Sequence, residues 1–319
     1  MTQHWSDFLV MATPQTIWAA KTLAICRPPL RFPELPGAST PLELNLALLN
    51  HFFPGSPVDD LLTILLPYMH ATPLVATEID RVLARSSPSS APGADMTPIS
   101  VCKRINKVAP DLILNLLSPL VSYGFHPPSL KRADGIVLDN PGKPSYDSPS
   151  SFRIIILLQN FSKIIERIMN GRLSCLARVT VLLNSHHCGS LMGLSVADTC
   201  NTHTHEIRTV WMDKRKVSAL FLDIMGGFAN DNPSALCGML AAQGVNLCLV
   251  SWPRSFLTGR SCWLLFQALR KVFAPVSVRT PHTSPVWTLF FVIYVSSLHQ
   301  AIPNSLTLCY VDDFALTAS

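Results

Sequence analysis

Leu308-Cys309-Tyr310-Val311-Asp312-Asp313-Phe314-Ala315-Leu316 sets two adjacent carboxylates between two apolar runs. Leu306, Leu308 and Tyr310 alternate with smaller or more polar residues, and Phe314 to Leu316 resume the apolar run. This pattern predicts a strand, a tight turn and the start of a second strand. The turn puts both carboxylates at a hairpin tip, within reach of water and metal. Adjacent carboxylates repel unless a cation neutralises them. Oxygen ligands of this kind suit Mg²⁺, which takes one or two protein carboxylates together with substrate phosphates. Taken alone, the pair also fits an ordinary acidic turn, because Asp is a common turn residue.

A second stretch weighs against the plain turn. Val217-Ser218-Ala219-Leu220-Phe221-Leu222-Asp223 is an apolar run ending in one carboxylate, followed by Ile224-Met225-Gly226-Gly227-Phe228. It predicts a buried strand that delivers Asp223 to its end. One Asp at a strand end and an Asp pair on a hairpin form the carboxylate set of a two-metal phosphoryl-transfer site.

At these residues the chain resembles a known family. Tyr310-Val311-Asp312-Asp313 is similar to the Y-x-D-D signature of reverse transcriptases, and Phe221-Leu222-Asp223 through Phe228 to their first catalytic motif. Pro141-Gly142-Lys143-Pro144, Ser151-Phe152-Arg153-Ile154, Ser162-Lys163-Ile164-Ile165-Glu166-Arg167 and Arg172-Leu173 resemble, in order, the fingers region of fungal non-LTR (LINE-type, jockey-like) retrotransposon polymerases. Gly189, Gly193, Ser195 and Asp198 resemble that family's template-strand loop and the helix after it. Trp252 to Arg260 resembles its W-x-x-S-F-L-x-G-R run. The resemblance runs from about residue 80 to the C-terminus.

The resemblance implies an α+β fold, with the fingers and palm of a right-hand polymerase and a mostly antiparallel palm sheet. Residues 1–85 would be a helical N-terminal linker region and 86–319 the reverse transcriptase domain, with fingers at about 100–215 and palm at about 216–319. It implies RNA-directed DNA synthesis with an RNA template, a DNA primer and deoxynucleoside triphosphates. Asp223, Asp312 and Asp313 would be catalytic and hold two Mg²⁺ ions, or Mn²⁺ in their place. Arg153 and Lys143 would hold the triphosphate, and Phe228 would sit under the sugar. An Arg fork suits phosphate oxygens, although Arg153 by itself is also an ordinary surface residue at a strand end. Pro281, Ser284 and Pro285 would form the loop that meets template and primer.

The chain also departs from the family pattern. Leu191 and Leu194 stand where arginines are common, and Asn140 where Lys is usual. Ala229 replaces an Asp, and Arg279, His282 and Thr283 replace Gly, Gln and Gly. The chain ends six residues after Asp313, so the resemblance implies a missing thumb and a truncated, degenerate copy with impaired activity. Two other readings follow. One is a non-catalytic remnant that binds nucleic acid through Lys103, Arg104, Lys107, Lys131, Arg132 and Arg153. The other is an inert product of a decayed mobile element.

Composition is compatible with these readings. An apolar fraction of 48% over 319 residues is enough for a large core, and length suggests two subdomains. Charged residues make up only 14%, the mean hydropathy is +0.31, and the net charge of +5 suits a phosphate-backbone partner. Met1 to Asp7 is polar and no apolar signal core follows. Val286 to Val295 is too short to span a bilayer and predicts a buried helix. The expectation is an intracellular protein without a membrane partner. Nine scattered cysteines predict reduced thiols and no disulfide partner. His186, His187, Cys188, Cys200, His203 and His205 are near enough in sequence to suggest zinc, but no second C-x-x-C accompanies them.

Local signals place further elements. A short helix is expected around 14–25, then a Pro-rich linker at 27–33. Thr40-Pro41-Leu42-Glu43 is a helix start, with Leu42, Leu46 and Leu49 as the apolar face. Ala76 to Arg85 predicts a helix resting on Ile79, Val82 and Leu83. The Ser/Pro/Gly-rich run 86–98 reads as a boundary. Lys103, Arg104 and Lys107 form either a phosphate contact or a solvated helix face. Ser162 to Leu176 predicts an amphipathic helix with Ile164, Ile165, Ile168 and Met169 inward and Lys163, Arg167 and Arg172 outward.

Overall fold

The computed structural model describes residues 35–38, 40–52, 72–180, 182–183, 189, 194–224, 233–265, 272–276, 284–296, 306–311 and 313–318. In chain order the helices are α1 (Pro41–Phe52), α2 (Ala76–Arg85), α3 (Ile99–Val108), α4 (Pro110–Ser122), α5 (Asn160–Val179), α6 (Val196–Met212), α7 (Pro233–Ala242), α8 (Leu247–Leu257) and α9 (Trp287–Val295). The strands are β1 (Arg132–Asp139), β2 (Phe152–Leu157), β3 (Ser218–Asp223), β4 (Arg260–Leu265), β5 (Val272–Val276), β6 (Leu306–Tyr310) and β7 (Asp313–Ala318). Helices and two small sheets together make a mixed α+β architecture. The expected helix at 14–25 and the linker at 27–33 lie outside the described residues.

One sheet has the order β2-β1-β4-β5 and the other β3-β7-β6. In the first, β1 and β4 run parallel, while its other pairs are antiparallel. The second sheet is antiparallel throughout. One face of the first sheet buries Val137, Ile154, Ile156 and Leu264 against Leu44 and Leu48 of α1. The reciprocal bonds of the capping box start α1 as expected. Thr40 N donates to Glu43 Oε2 at 3.0 Å, and Glu43 N donates to Thr40 Oγ1 at 3.2 Å. Its buried face is not the expected one, because Leu42 and Leu46 are exposed. The helix carries two apolar stripes at the same i, i+4 spacing, and the sheet takes the Leu44/Leu48 stripe.

The largest core is helical. Ile79 and Leu83 of α2, Ile113 and Leu117 of α4, Ile164, Ile165 and Ile168 of α5, Trp252 and Phe256 of α8 and Phe290 of α9 share it. The predicted span and face of α2 match the structure. The 86–98 run is docked against this core. Lys103 Nζ donates to the Ser86 carbonyl at 2.7 Å, and Lys163 Nζ to the Ala91 carbonyl at 2.9 Å. Asn160 Nδ2 donates to the Thr97 carbonyl at 2.7 Å. A Cβ on Gly93 would lie 2.5 Å from the Gln159 backbone nitrogen, so glycine permits this close approach. This docking corrects the expected outward face of α5: Lys163 is buried and Arg167, bonded to the Ser86 hydroxyl, is half-buried. Arg172 pairs with Glu78 of α2 at 2.8 Å.

The predicted buried helix at 286–295 is α9, with Trp287, Leu289, Phe290, Phe291, Val292, Ile293 and Val295 all buried. Among the described residues no helix is long and apolar enough to cross a membrane. The described cysteines are free thiols.

Candidate active site

The Asp-bearing stretch folds as the sequence predicts. β6 and β7 pair antiparallel, with Tyr310 opposite Asp313, leaving a turn of two residues, Val311 and Asp312. Such short hairpins use positive φ at the first turn position, and Val311 has φ of 60°. That region is costly for a β-branched residue. The turn is crowded as well: a Cβ on Gly189 would run into the Val311 backbone nitrogen and side chain, so only glycine fits at 189. Asp312 itself lies outside the described residues.

The third strand brings in Asp223. β3 pairs with β7, and Asp223 is the register partner of Asp313. Asp223 therefore lies directly across from the first residue of β7, although the two are 90 residues apart in sequence. Like charges at opposed strand positions are destabilising without a counter-ion, and Asp313 is exposed to solvent. Carboxylate oxygens at the water-facing end of a sheet fit a hard, oxygen-seeking divalent cation such as Mg²⁺. No group of three or more potential ligands forms among the described residues, a set without Asp312. The suggested zinc cluster gains no support there. His186, His187 and Cys188 lie outside the described residues, and Cys200 is exposed on α6.

Two helices hold this sheet from opposite faces. Cys309 and Phe314 pack on Phe291 and Val295 of α9. On the other face His203 of α6 meets the Phe221 ring edge-on at 5.7 Å and lies 3.3 Å from the Thr317 hydroxyl. Ser195 caps α6: its hydroxyl and its backbone N–H both donate to Asp198 at 2.7 Å and hold that carboxyl below its usual range. The expected burial of β3 is not found: Leu220, Phe221 and Leu222 are 54%, 69% and 44% exposed. β3 is the edge strand of its sheet, and an edge lacks the second neighbour that would cover it.

The remaining site residues are dispersed. Arg153 is exposed on β2, opposite Leu138, and Lys143 is exposed in the loop between β1 and β2. Arg153 belongs to the other sheet and Lys143 to a loop of that sheet. Phe228 and Pro281 lie outside the described residues. Pro285 is half-buried. Ser284 is buried, and its hydroxyl donates to Glu166 at 2.5 Å. Of the cations considered for nucleic-acid binding, Lys131 is buried, Lys103 is committed to Ser86, and Arg104, Lys107, Arg132 and Arg153 are exposed on three different elements.

Sequence reasoning missed Glu166, which is fully buried. Burial raises its pKa, an effect opposed by Arg260 and by hydrogen bonds from Ser162 and Ser284. The available signal was local: a Glu set among Ile164, Ile165 and Ile168, with a Ser four residues earlier on the same helix face.

No family model matches the chain. It is 24% identical over 253 residues to the Drosophila melanogaster protein named "Probable RNA-directed DNA polymerase from transposon X-element", covering 78% of this chain and 28% of that protein. It is 29% identical over 175 residues to the "Probable RNA-directed DNA polymerase from transposon BS" of the same organism, covering 54% of this chain and 19% of that protein. A 115 kDa protein in the type-1 retrotransposable element R1DM is 28% identical over 242 residues, covering 75% of this chain and 23% of that protein. The chain thus spans between 19% and 28% of the length of these curated relatives. At this level of identity the similarity to transposon RNA-directed DNA polymerases supports a reverse-transcriptase-like domain.

Proposed function

We propose that this chain is the nucleotidyl-transfer region of a non-LTR, LINE-type and jockey-like, retrotransposon RNA-directed DNA polymerase, with a motif order resembling fungal members. The observation that carries the reading is the strand register that sets Asp223 opposite Asp313, beside the two-residue turn. Asp223, Asp312 and Asp313 hold the metal. Two Mg²⁺ ions held there would supply Lewis-acid activation of a primer 3′-hydroxyl and neutralisation of charge on the leaving pyrophosphate. Arg153 and Lys143 bind triphosphate oxygens, Arg153 as a planar fork and Lys143 as a point charge. Phe228 packs under the sugar and excludes a 2′-hydroxyl by contact. Pro281 and Pro285 shape the surface that receives the template–primer pair, and the buried Ser284 anchors that loop from beneath.

This copy works poorly. Arg279 and Thr283 carry a Cβ where the resembled loop has glycines that permit positive φ. Asn140 removes a phosphate-binding charge. Misplacement of about 1 Å at a reacting centre costs about 100-fold in rate. Extension of a DNA primer annealed to RNA, with Mg²⁺ or Mn²⁺, tests the reading. Slow extension abolished by Asp312→Ala is expected. No extension at high protein concentration, or extension indifferent to Asp312→Ala, would overturn it.

A further inference from the structure

Three motifs singled out in the sequence converge at one buried point away from the Asp hairpin. Glu166 of α5 has both carboxylate oxygens occupied. Ser162 Oγ donates to Oε1 at 2.6 Å, and Ser284 Oγ donates to Oε2 at 2.5 Å. Lengths of 2.5–2.7 Å suit hydroxyl donors to an ionised carboxylate. Arg260, at the start of β4, is buried and acts on Glu166 through its charge. Its guanidinium lies 4.5 Å from the Phe256 ring centre, and Nη1 donates to the Phe256 carbonyl at 3.1 Å. His126 Nε2 lies 3.2 Å from the Ser162 hydroxyl, and the His126 backbone N–H donates to Ser255 Oγ at 2.9 Å.

A buried charge network of this kind is a poor stabiliser compared with apolar residues of similar volume. Its geometry suggests another role. Ser284 leads directly into α9, and its carbonyl accepts from Trp287 N at 3.3 Å. α9 is buried along most of its surface, with only Thr288 and Tyr294 half-buried. A helix that is apolar on nearly every face lacks the polar stripe that would orient it, so its rotation is set by side-chain packing and by whatever directional bonds its ends make. A directional hydrogen bond at one end adds a constraint on that rotation. α9 in turn presents Phe291 and Val295 to Cys309 and Phe314 of the hairpin.

We propose that Glu166 is a positioning residue: acting through Ser284, it fixes the rotation of α9 and so the placement of the β6–β7 hairpin that carries Asp313. The inference rests on the proposed function only for the purpose the hairpin serves; the tether itself is tested separately.

The test compares Glu166→Gln and Ser284→Ala with Leu173→Ala, a core truncation on α5 that leaves the tether intact. Amide hydrogen exchange over residues 308–316 is measured at matched pH. Each tether variant raises exchange there about tenfold, the effect of losing one buried hydrogen bond, while Leu173→Ala does not. The double variant exchanges no faster than the faster single variant, because both act on one bond. Unchanged exchange at 308–316 in both tether variants overturns the proposal, as does an equal rise in Leu173→Ala. Mn²⁺ affinity is measured alongside. A fall of about tenfold in Ser284→Ala supports positioning, and raised exchange with unaltered affinity overturns it. If Asp313→Asn leaves Mn²⁺ affinity unchanged, the functional reading fails, while the exchange data still decide the tether.

Discussion

Glu166 and Asp313 are both carboxylates on regular elements, and their settings are opposite. Glu166 lies inside the helical core with both oxygens accepting hydroxyl bonds, under the charge of a buried Arg260. Asp313 is exposed at the end of an antiparallel pair, across from a second Asp. The buried carboxylate is held at both oxygens by hydroxyls of the protein, which suits an anchor. The exposed one faces solvent, where a cation can reach it. In this fold a carboxylate suited to chemistry is one the scaffold has left incompletely satisfied.

The largest expected contrast is in stability. Glu166→Leu strips the partner from two buried serines and leaves Arg260 uncompensated, which should cost about 3–5 kcal/mol in urea denaturation. A cost near zero would mean that the interior network is dispensable. Next comes pH. Burial, then the Arg260 and Lys131 charges, lower His126 to about 3. Its contribution is therefore complete above about 6.5 and is lost as pH falls towards 3, with a slope of at most about 1.4 kcal/mol per pH unit. Glu166 has the opposite sign: its raised pKa favours the fold below about 4.5 and loses that contribution as pH rises. Subtracting the pH–stability profile of His126→Gln from that of the wild type isolates the histidine, and a flat difference would contradict its burial.

Smaller effects are expected at the hairpin. Val311→Gly relieves a left-handed residue and should stabilise by up to about 1 kcal/mol, after the entropy that glycine adds to the unfolded chain. A loss of stability on thermal unfolding would mean that the Val311 side chain packs more than its backbone strains. Asp313→Asn should change stability least, by no more than about 0.5 kcal/mol, while weakening Mn²⁺ binding measured by calorimetry. A large loss of stability with metal binding intact would erase the distinction between the two carboxylates.

What was legible in sequence follows from how far apart the interacting residues lie. The hairpin could be read because Tyr310 and Asp313 pair across two residues. The α2 helix and the Thr40 capping box were equally local. Which stripe of α1 is buried could not be read, since Leu42/Leu46 and Leu44/Leu48 have the same spacing and a distant sheet decides between them. The apolar run of β3 suggested burial, but burial depends on a strand's place in its sheet, and β3 lies at an edge. For Glu166 the isoleucines around it signalled burial locally, but its partner Ser284 lies 118 residues away and could not be read.

The 86–98 segment carries a practical consequence. Its serines, prolines and glycine are the composition at which proteases nick chains and at which domains are usually separated. Here Lys103, Lys163 and Asn160 hold its carbonyls, and Gly93 lies flush against Gln159. Limited digestion should therefore spare it. A gene trimmed to begin at Ser86 would lose Ile79 and Leu83 from the shared core and yield insoluble protein, so expression boundaries belong N-terminal to α2.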